Sequence, residues 1–191
     1  MRSCFLILLS SLALVSCVNL KPKADSVKLY SLGPAHVTAL PEDAQQAVHV
    51  ARPSLPSYLI SNRLQYRSAD GEIRSIVAAR WAEPLQEGVA RALAEWLQVQ
   101  AEAAAVGTYY PWQQPDGSLV IRVQLHQLSG SEDGRILFQA AWQLESSAGV
   151  PLATGIYHPE GLSWVPGDAR SLIAGLNAAL QGLSAQIAEQ L

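Results

Sequence analysis

Leu119-Val120-Ile121-Arg122-Val123-Gln124-Leu125-His126-Gln127-Leu128 alternates apolar and polar side chains at period two. Successive side chains of an extended strand point to opposite faces, so Leu119, Ile121, Val123 and Leu125 share one side and Arg122, Gln124 and His126 the other. Ser129-Gly130-Ser131-Glu132-Asp133-Gly134 follows as a polar connection. The return stretch places Ile136, Phe138, Ala140, Trp142 and Leu144 on one face again. The pair predicts an antiparallel hairpin with one side buried and one side wet. Something must cover the buried side, and two flanking segments have the right period.

Leu85, Val89, Leu93, Trp96 and Leu97 recur at spacings of three and four, the stripe of an amphipathic helix. Pro84 fits its first turn, where a missing N–H is harmless. The helix should fade around Ala101 to Ala105, before Gly107. Near the C-terminus Leu172, Ile173, Leu176, Leu180, Leu183 and Ile187 mark a second stripe in an alanine-rich segment. Asp168 is its natural N-cap. Further strands are expected at Lys28–Leu32, stopped by Gly33-Pro34, at Gln46–Arg52 around Val48 and Val50, and at Arg63–Arg67. After an Ala69-Asp70-Gly71 turn, Ile73 to Trp81 reads as a strand with Ile73, Val77, Ala79 and Trp81 on one face. Pro151 to His158 adds another, and His36 to Gln45 reads as loop. No internal repeat or second domain is visible. The pattern predicts a single α/β domain in which a mixed β-sheet is covered by two long helices.

Ahead of this domain stands a different kind of sequence. Met1-Arg2-Ser3 is a short cationic start, and Cys4 to Val15 is apolar apart from Ser10 and Ser11. That is the layout of a secretory signal, too short for the ~20 apolar residues of a membrane span. It ends Leu14-Val15-Ser16-Cys17, which resembles the lipobox of bacterial lipoproteins. By that resemblance residues 1–16 are a lipoprotein signal peptide. Cys17 takes a diacylglyceryl group and its freed amine a further acyl chain, such as palmitate. Each buried methylene contributes ~0.8 kcal/mol, so two or three chains anchor where one would not. Residues 17–26, with Lys21, Pro22 and Lys23, are then a lipidated N-terminus and tether, and residues 27–191 the domain. By the same resemblance, Val18 stands where an Asp would favour retention at the inner membrane, which implies the outer membrane and its periplasmic face.

The charge balance is mildly acidic, 13 basic against 16 acidic residues for a net charge of −3, with no basic run. Nucleic-acid binding is disfavoured, since it needs a clustered cationic footprint. The chain has 2 cysteines, and Cys4 leaves with the signal, so no internal disulfide or cysteine-based metal site is expected. His36, His49, His126 and His158 lack partners at metal-ligand spacing. No nucleophile elbow, phosphate loop or dinucleotide fingerprint occurs, and the carboxylates are scattered. Catalytic, cofactor and metal residues are therefore assigned to none. Partner contacts are placed at Arg80 and Glu83, in the dense run Arg80-Trp81-Ala82-Glu83-Pro84-Leu85, and at Tyr110 and Trp112, in Tyr109-Tyr110-Pro111-Trp112. Adjacent aromatics cannot all point inward, so at least one of Tyr109 and Tyr110 should be exposed. Against the contact role, Glu83 near a helix start is also favourable with the helix dipole, and Trp81 reads as core.

The run Arg80 to Leu85, together with Tyr30-Ser31-Leu32-Gly33-Pro34, Tyr58-Leu59 and Leu64-Gln65-Tyr66-Arg67, resembles the ABC-type transport auxiliary lipoproteins, the paraquat-inducible protein C family. The resemblance spans nearly all of the chain after the signal. It implies a mixed-sheet α/β domain without catalytic machinery. It also implies a place beside mammalian-cell-entry (MCE) domain proteins that move lipid across the periplasm and sustain membrane integrity, with this lipoprotein seating or receiving them at the outer membrane. The alternative is a structural lipoprotein that assists assembly of another envelope machine. Self-association into a homo-oligomer is compatible with either.

Overall fold

The computed structural model describes residues 26–36, 44, 46–101, 104–108 and 114–191. The expected signal peptide, Cys17 and all of the tether but Ser26 lie outside the described residues, as do Tyr110 and Trp112. Eight strands and two long helices follow in the order β1 (Lys28–Tyr30), β2 (Gln46–Val50), β3 (Arg63–Arg67), β4 (Ile73–Trp81), α1 (Leu85–Gln100), β5 (Ala104–Gly107), β6 (Leu119–Ser131), β7 (Ile136–Glu145), β8 (Pro151–Tyr157) and α2 (Ala169–Ala188). A 3-10 turn, Ser57–Leu59, precedes β3.

β6 is the spine. Its 13 residues give it room for different neighbours along each edge. One edge carries β7 antiparallel from Val120 to Gly130, and β8 extends the sheet beyond β7. On the other edge β2 pairs in parallel with the start of β6, Ser54 bridges to Gln124, and β3 pairs with Gly130 and Ser131 at its end. β5 continues from β2, and β4 and β1 continue from β3, so one mixed sheet has two branches on that side. The register shifts by one residue at His126. That bulge inserts an extra residue, so Leu125 and Leu128 both reach the buried face while His126 stays outside.

Both helices pack against each other on one face of the sheet, α1 over β2 and β5, α2 over β6 and β7. The core there joins Val48, Val50, Ile121, Phe138, Leu93, Leu97, Leu176, Leu180 and Leu183, each at most 1 % exposed. The helix starts follow their sequence signals. The carbonyl of Pro84 accepts from Glu87 and Gly88, so the proline sits just ahead of α1 as its N-cap. The Asp168 side chain accepts from the N–H groups of Arg170 and Ser171 and caps α2. Trp81 is buried, as its place in the apolar pattern predicts.

Three expectations are corrected. Val77 was placed on the inner face of β4 with Ala79 and Trp81, yet it is 91 % exposed and Ile76 is buried instead. The pairing of β3 with β4 slips between Arg63 and Gln65, and Ala78 adopts φ 55. A bulge with a left-handed residue flips the strand's parity at that point. The segment expected as the fading end of α1 also differs, because α1 stops at Gln100 and Ala104–Gly107 forms an edge strand parallel to β2. Alanine has little intrinsic strand preference. What holds β5 is buried Gln98, whose amide donates to the Ala104 carbonyl at 3.0 Å and accepts from the Val106 N–H at 2.8 Å. The polar connection after β6 also begins later than its composition suggests, because Ser129, Gly130 and Ser131 still pair with β7 or β3.

Adjacent hairpin tips share a turn. Ser68-Ala69-Asp70-Gly71-Glu72 and Ser131-Glu132-Asp133-Gly134-Arg135 each place a glycine at positive φ. In each the serine hydroxyl hydrogen-bonds the aspartate two residues on. Glu132 ties the tips together by accepting from the Ala69 N–H and from Arg74. The Ser68 hydroxyl holds the Asp70 carboxyl below its ordinary 3.8, and the Ser131 hydroxyl, with Arg135, does the same for Asp133.

Gln98→Ala should lower stability by about 1–3 kcal/mol, because it strands a buried acceptor and donor. Native-state hydrogen exchange should show the Val106 amide losing protection ahead of β6. Unchanged exchange there would mean that β5 is held by its pairing to β2 alone. A second expectation concerns acid. Depressed folded-state pKa values contribute stability that is present above 3.8 and lost as pH falls through the lowered values. A carboxyl-carbon titration should therefore give midpoints below 3.8 for Asp70 and Asp133. Ser68→Ala should return Asp70 upward without moving Asp133.

Candidate functional site

The segments that stand apart in the sequence meet at one corner of the sheet. β1 lies parallel to the end of β4, with Leu29 beside Arg80 and Tyr30 beside Trp81. The Ala82 N–H donates to the Tyr30 carbonyl and the Trp81 N–H to the Asn62 carbonyl, both at 2.8 Å. Arg91, one face of α1 away, closes the corner. Its guanidinium reaches Glu83 at 2.5 Å, both oxygens of Glu95 at 2.9 Å and the Leu32 carbonyl at 2.9 Å. Hydrogen bonding to Glu83, and then to Glu95, raises its pKa and keeps it charged.

Gly33 fits this corner for two reasons. Its φ of +113° suits glycine, and a side chain there would run into the Glu95 carboxylate. Its N–H donates to Asn177 on α2 at 2.9 Å, so the corner also fastens the second helix. Glu83 thus faces an internal cation. Arg80 is exposed, on the side of the sheet away from the helices, flanked by Leu29 and Arg63. Around Tyr58 the contact is cation–π, with the Arg67 guanidinium 5.9 Å from its ring centre.

The sheet face opposite the helices carries a shallow trough of about 570 Å³ across β6, β7, β8 and the segment after β2. Arg52, Ser54, Arg122, Gln124, Thr154 and Ile156 line it. Bonded to two of its lining residues is a carboxylate, Glu145, only 8 % exposed. It accepts from Gln143 at 2.7 Å and from Nε of Arg122 at 2.9 Å. Arg122 meets this carboxylate through Nε while its side chain stays 61% exposed. Arg52 pairs loosely with Glu87 at 3.7 Å. His49 lies nearby, and burial, then the charge of Arg122, lowers its pKa and favours the neutral ring. Arg52 also lines a second hollow, about 430 Å³, bounded by Leu55, Ile60 and Pro84. The two hollows adjoin.

Sequence reading singled out Arg80 and Glu83 but not Arg91, Arg122 or Glu145. Arg91 was legible in part, since it stands four residues before Glu95 on a helix. Arg122 and Glu145 come together only through the register of β6 with β7. His36, His126 and His158 are exposed. Among the described residues no group of three or more His, Cys, Asp or Glu could hold a metal ion. Among the same residues no helix is long and apolar enough to cross a membrane.

A family model described as ABC-type transport auxiliary lipoprotein component matches residues 30–188. All the segments of the Arg91 corner fall inside that match. Among solved structures, a crystal structure of an uncharacterized protein superposes with a TM-score of 0.70 at 20% identity, covering 85% of this chain and 97% of that one. A crystal structure of a protein from Xanthomonas campestris gives a TM-score of 0.62 at 16% identity, covering 84% of this chain and 92% of that one. At such identities these share the fold. No curated protein matches the chain.

Arg91→Met should lower stability by about 1–3 kcal/mol, since it leaves the largely buried Glu95 carboxylate and the Leu32 carbonyl without their donor. The partial exposure of the cluster keeps the loss below that of a fully buried pair. Urea unfolding would measure it, and a loss under about 0.5 kcal/mol would show that water replaces the guanidinium freely.

Proposed function

The chain belongs to the ABC-type transport auxiliary lipoprotein component family, and from that premise we propose that it is a lipid-anchored, non-enzymatic accessory of an envelope lipid transporter. The observation that carries this reading is the family match across residues 30–188, which lies a short segment downstream of a lipobox-like Leu14-Val15-Ser16-Cys17. The anchor on Cys17 holds the domain at the periplasmic face of the outer membrane. The tether sets its reach, and the folded domain binds an MCE-domain partner that carries the lipid. Energy for transport comes from the ATPase of the system.

The polar architecture supports a binding role. Arg91, Glu83 and Glu95 bind one another and the backbone, and Glu145 is taken up by Gln143 and Arg122. Confinement by the anchor would raise the effective concentration of two proteins in one periplasmic gap, so a modest direct affinity suffices. Arg80, Glu83, Tyr110 and Trp112 remain proposed contact positions, with Arg80 the exposed one of the two described.

Cys17→Ser should abolish acyl labelling and membrane fractionation while the domain stays folded. Palmitate label retained in that variant would sink the anchor. The accessory role is tested genetically and by co-purification from intact membranes. Loss of this protein should weaken the outer-membrane barrier as loss of its MCE neighbour does, and the double deletion should be little worse. Additive defects without co-purification would favour assembly of an unrelated envelope machine.

A further inference from the structure

The open face of the sheet differs in character from the rest of the molecule. The chain as a whole carries a net charge of −3. Among the described residues that line the trough, however, the charged side chains are Arg52 and Arg122, each 61% exposed, with Glu87 only loosely paired to Arg52 at 3.7 Å from outside the lining. The carboxylate beside Arg122, Glu145, is buried and accepts from its Nε. A guanidinium bonded through Nε still presents its terminal nitrogens, part of the planar fork that recognises a carboxylate. Gln124, Thr154 and Ser54 add hydrogen-bonding groups, and Ile156 and Leu152 on the edge strand β8 are 69% and 56% exposed.

We propose that this trough seats an acidic segment of the partner protein, one in which carboxylates alternate with apolar side chains. The carboxylates meet Arg122 and Arg52, and the apolar side chains lie on Ile156 and Leu152. Charge complementarity selects the sign. Shallowness selects a chain segment over a small molecule, because ligand pockets bury about 70–90% of a small ligand and here the lining residues are themselves exposed. From β8 to the segment after β2 the trough crosses three strand spacings, roughly 15 Å, the span of about four or five extended residues. This inference rests on the accessory reading above and gives it a surface.

The test titrates the full-length protein with a short peptide of alternating Glu and Leu, and with its Lys–Leu counterpart, while backbone amide signals are followed. The acidic peptide should give saturable shifts at Ser54, Gln124, Thr154 and Ile156, and the basic one none. Arg52→Gln should weaken binding about tenfold with an unchanged unfolding midpoint, because its ion pair with Glu87 is loose and exposed. Arg122→Lys, which keeps charge but not the planar fork, should also weaken it. Absence of saturable shifts, an equal response to both peptides, or indifference to Arg52→Gln would overturn the proposal. So would tighter occupation of the same residues by inorganic phosphate, or by phosphatidylglycerol vesicles, which would make the trough a phosphate site or a membrane contact. Peptide binding without co-purification of the MCE protein would count against the accessory reading alone. Co-purification that ignores both arginine variants, with the peptide silent, would count against the trough alone.

Discussion

The fold depends on β6 having its backbone bonded along both edges while only one of its faces is dry. A buried strand cannot leave N–H and C=O groups unpaired, and along β6, 13 residues long, strands of 5 residues such as β2 and β3 can each satisfy only part of an edge. β7 covers one edge, and β2 and β3 divide the other. That division forces the sheet to branch, and the two helices can then cover both branches only from the same side. The one-residue bulge at His126 keeps the apolar side chains of the strand on that side throughout its length.

Close approach follows from this arrangement. The 159–167 loop docks on the β6–β7 hairpin through Trp164, whose indole donates to the Ser131 carbonyl at 2.9 Å and lies over Gly130. Trp142 of β7 lies across Gly155 of β8, where a side chain carbon would come within 2.7 Å of the ring. In each case a large aromatic occupies the space that a neighbouring glycine leaves open. The rings gain burial without opening the sheet, and such burial carries much of a core's energy.

The polar residues divide between two tasks. Around Arg91 they bind chain segments far apart in sequence, from Leu32 to Asn177, into one corner. Two of the motif segments, Tyr30–Pro34 and Arg80–Leu85, meet there. On the open face they do something else, since Glu145 bonds an arginine that still faces solvent. The first arrangement is complete within the chain. The second leaves cations and aliphatic side chains uncovered side by side.

By itself the sequence determined the class of fold, the two helices, the hairpin and the capping at Asp168. These rest on local rules, namely side-chain period, turn glycines and caps, which act over a few residues. The quoted motifs pointed to the family for the same reason, as their order is local. Tertiary structure alone decided that Ala104–Gly107 is a strand, because a buried Gln98 and the edge of β2 outweigh a composition that favours helix. It alone turned Val77 outward, since a bulge is set by the mismatch between β3 and β4 and not by either sequence. It alone joined Arg91 to Leu32 and Arg122 to Glu145, because these contacts are fixed by register and helix docking across tens of residues, and no periodicity in the chain encodes such distances.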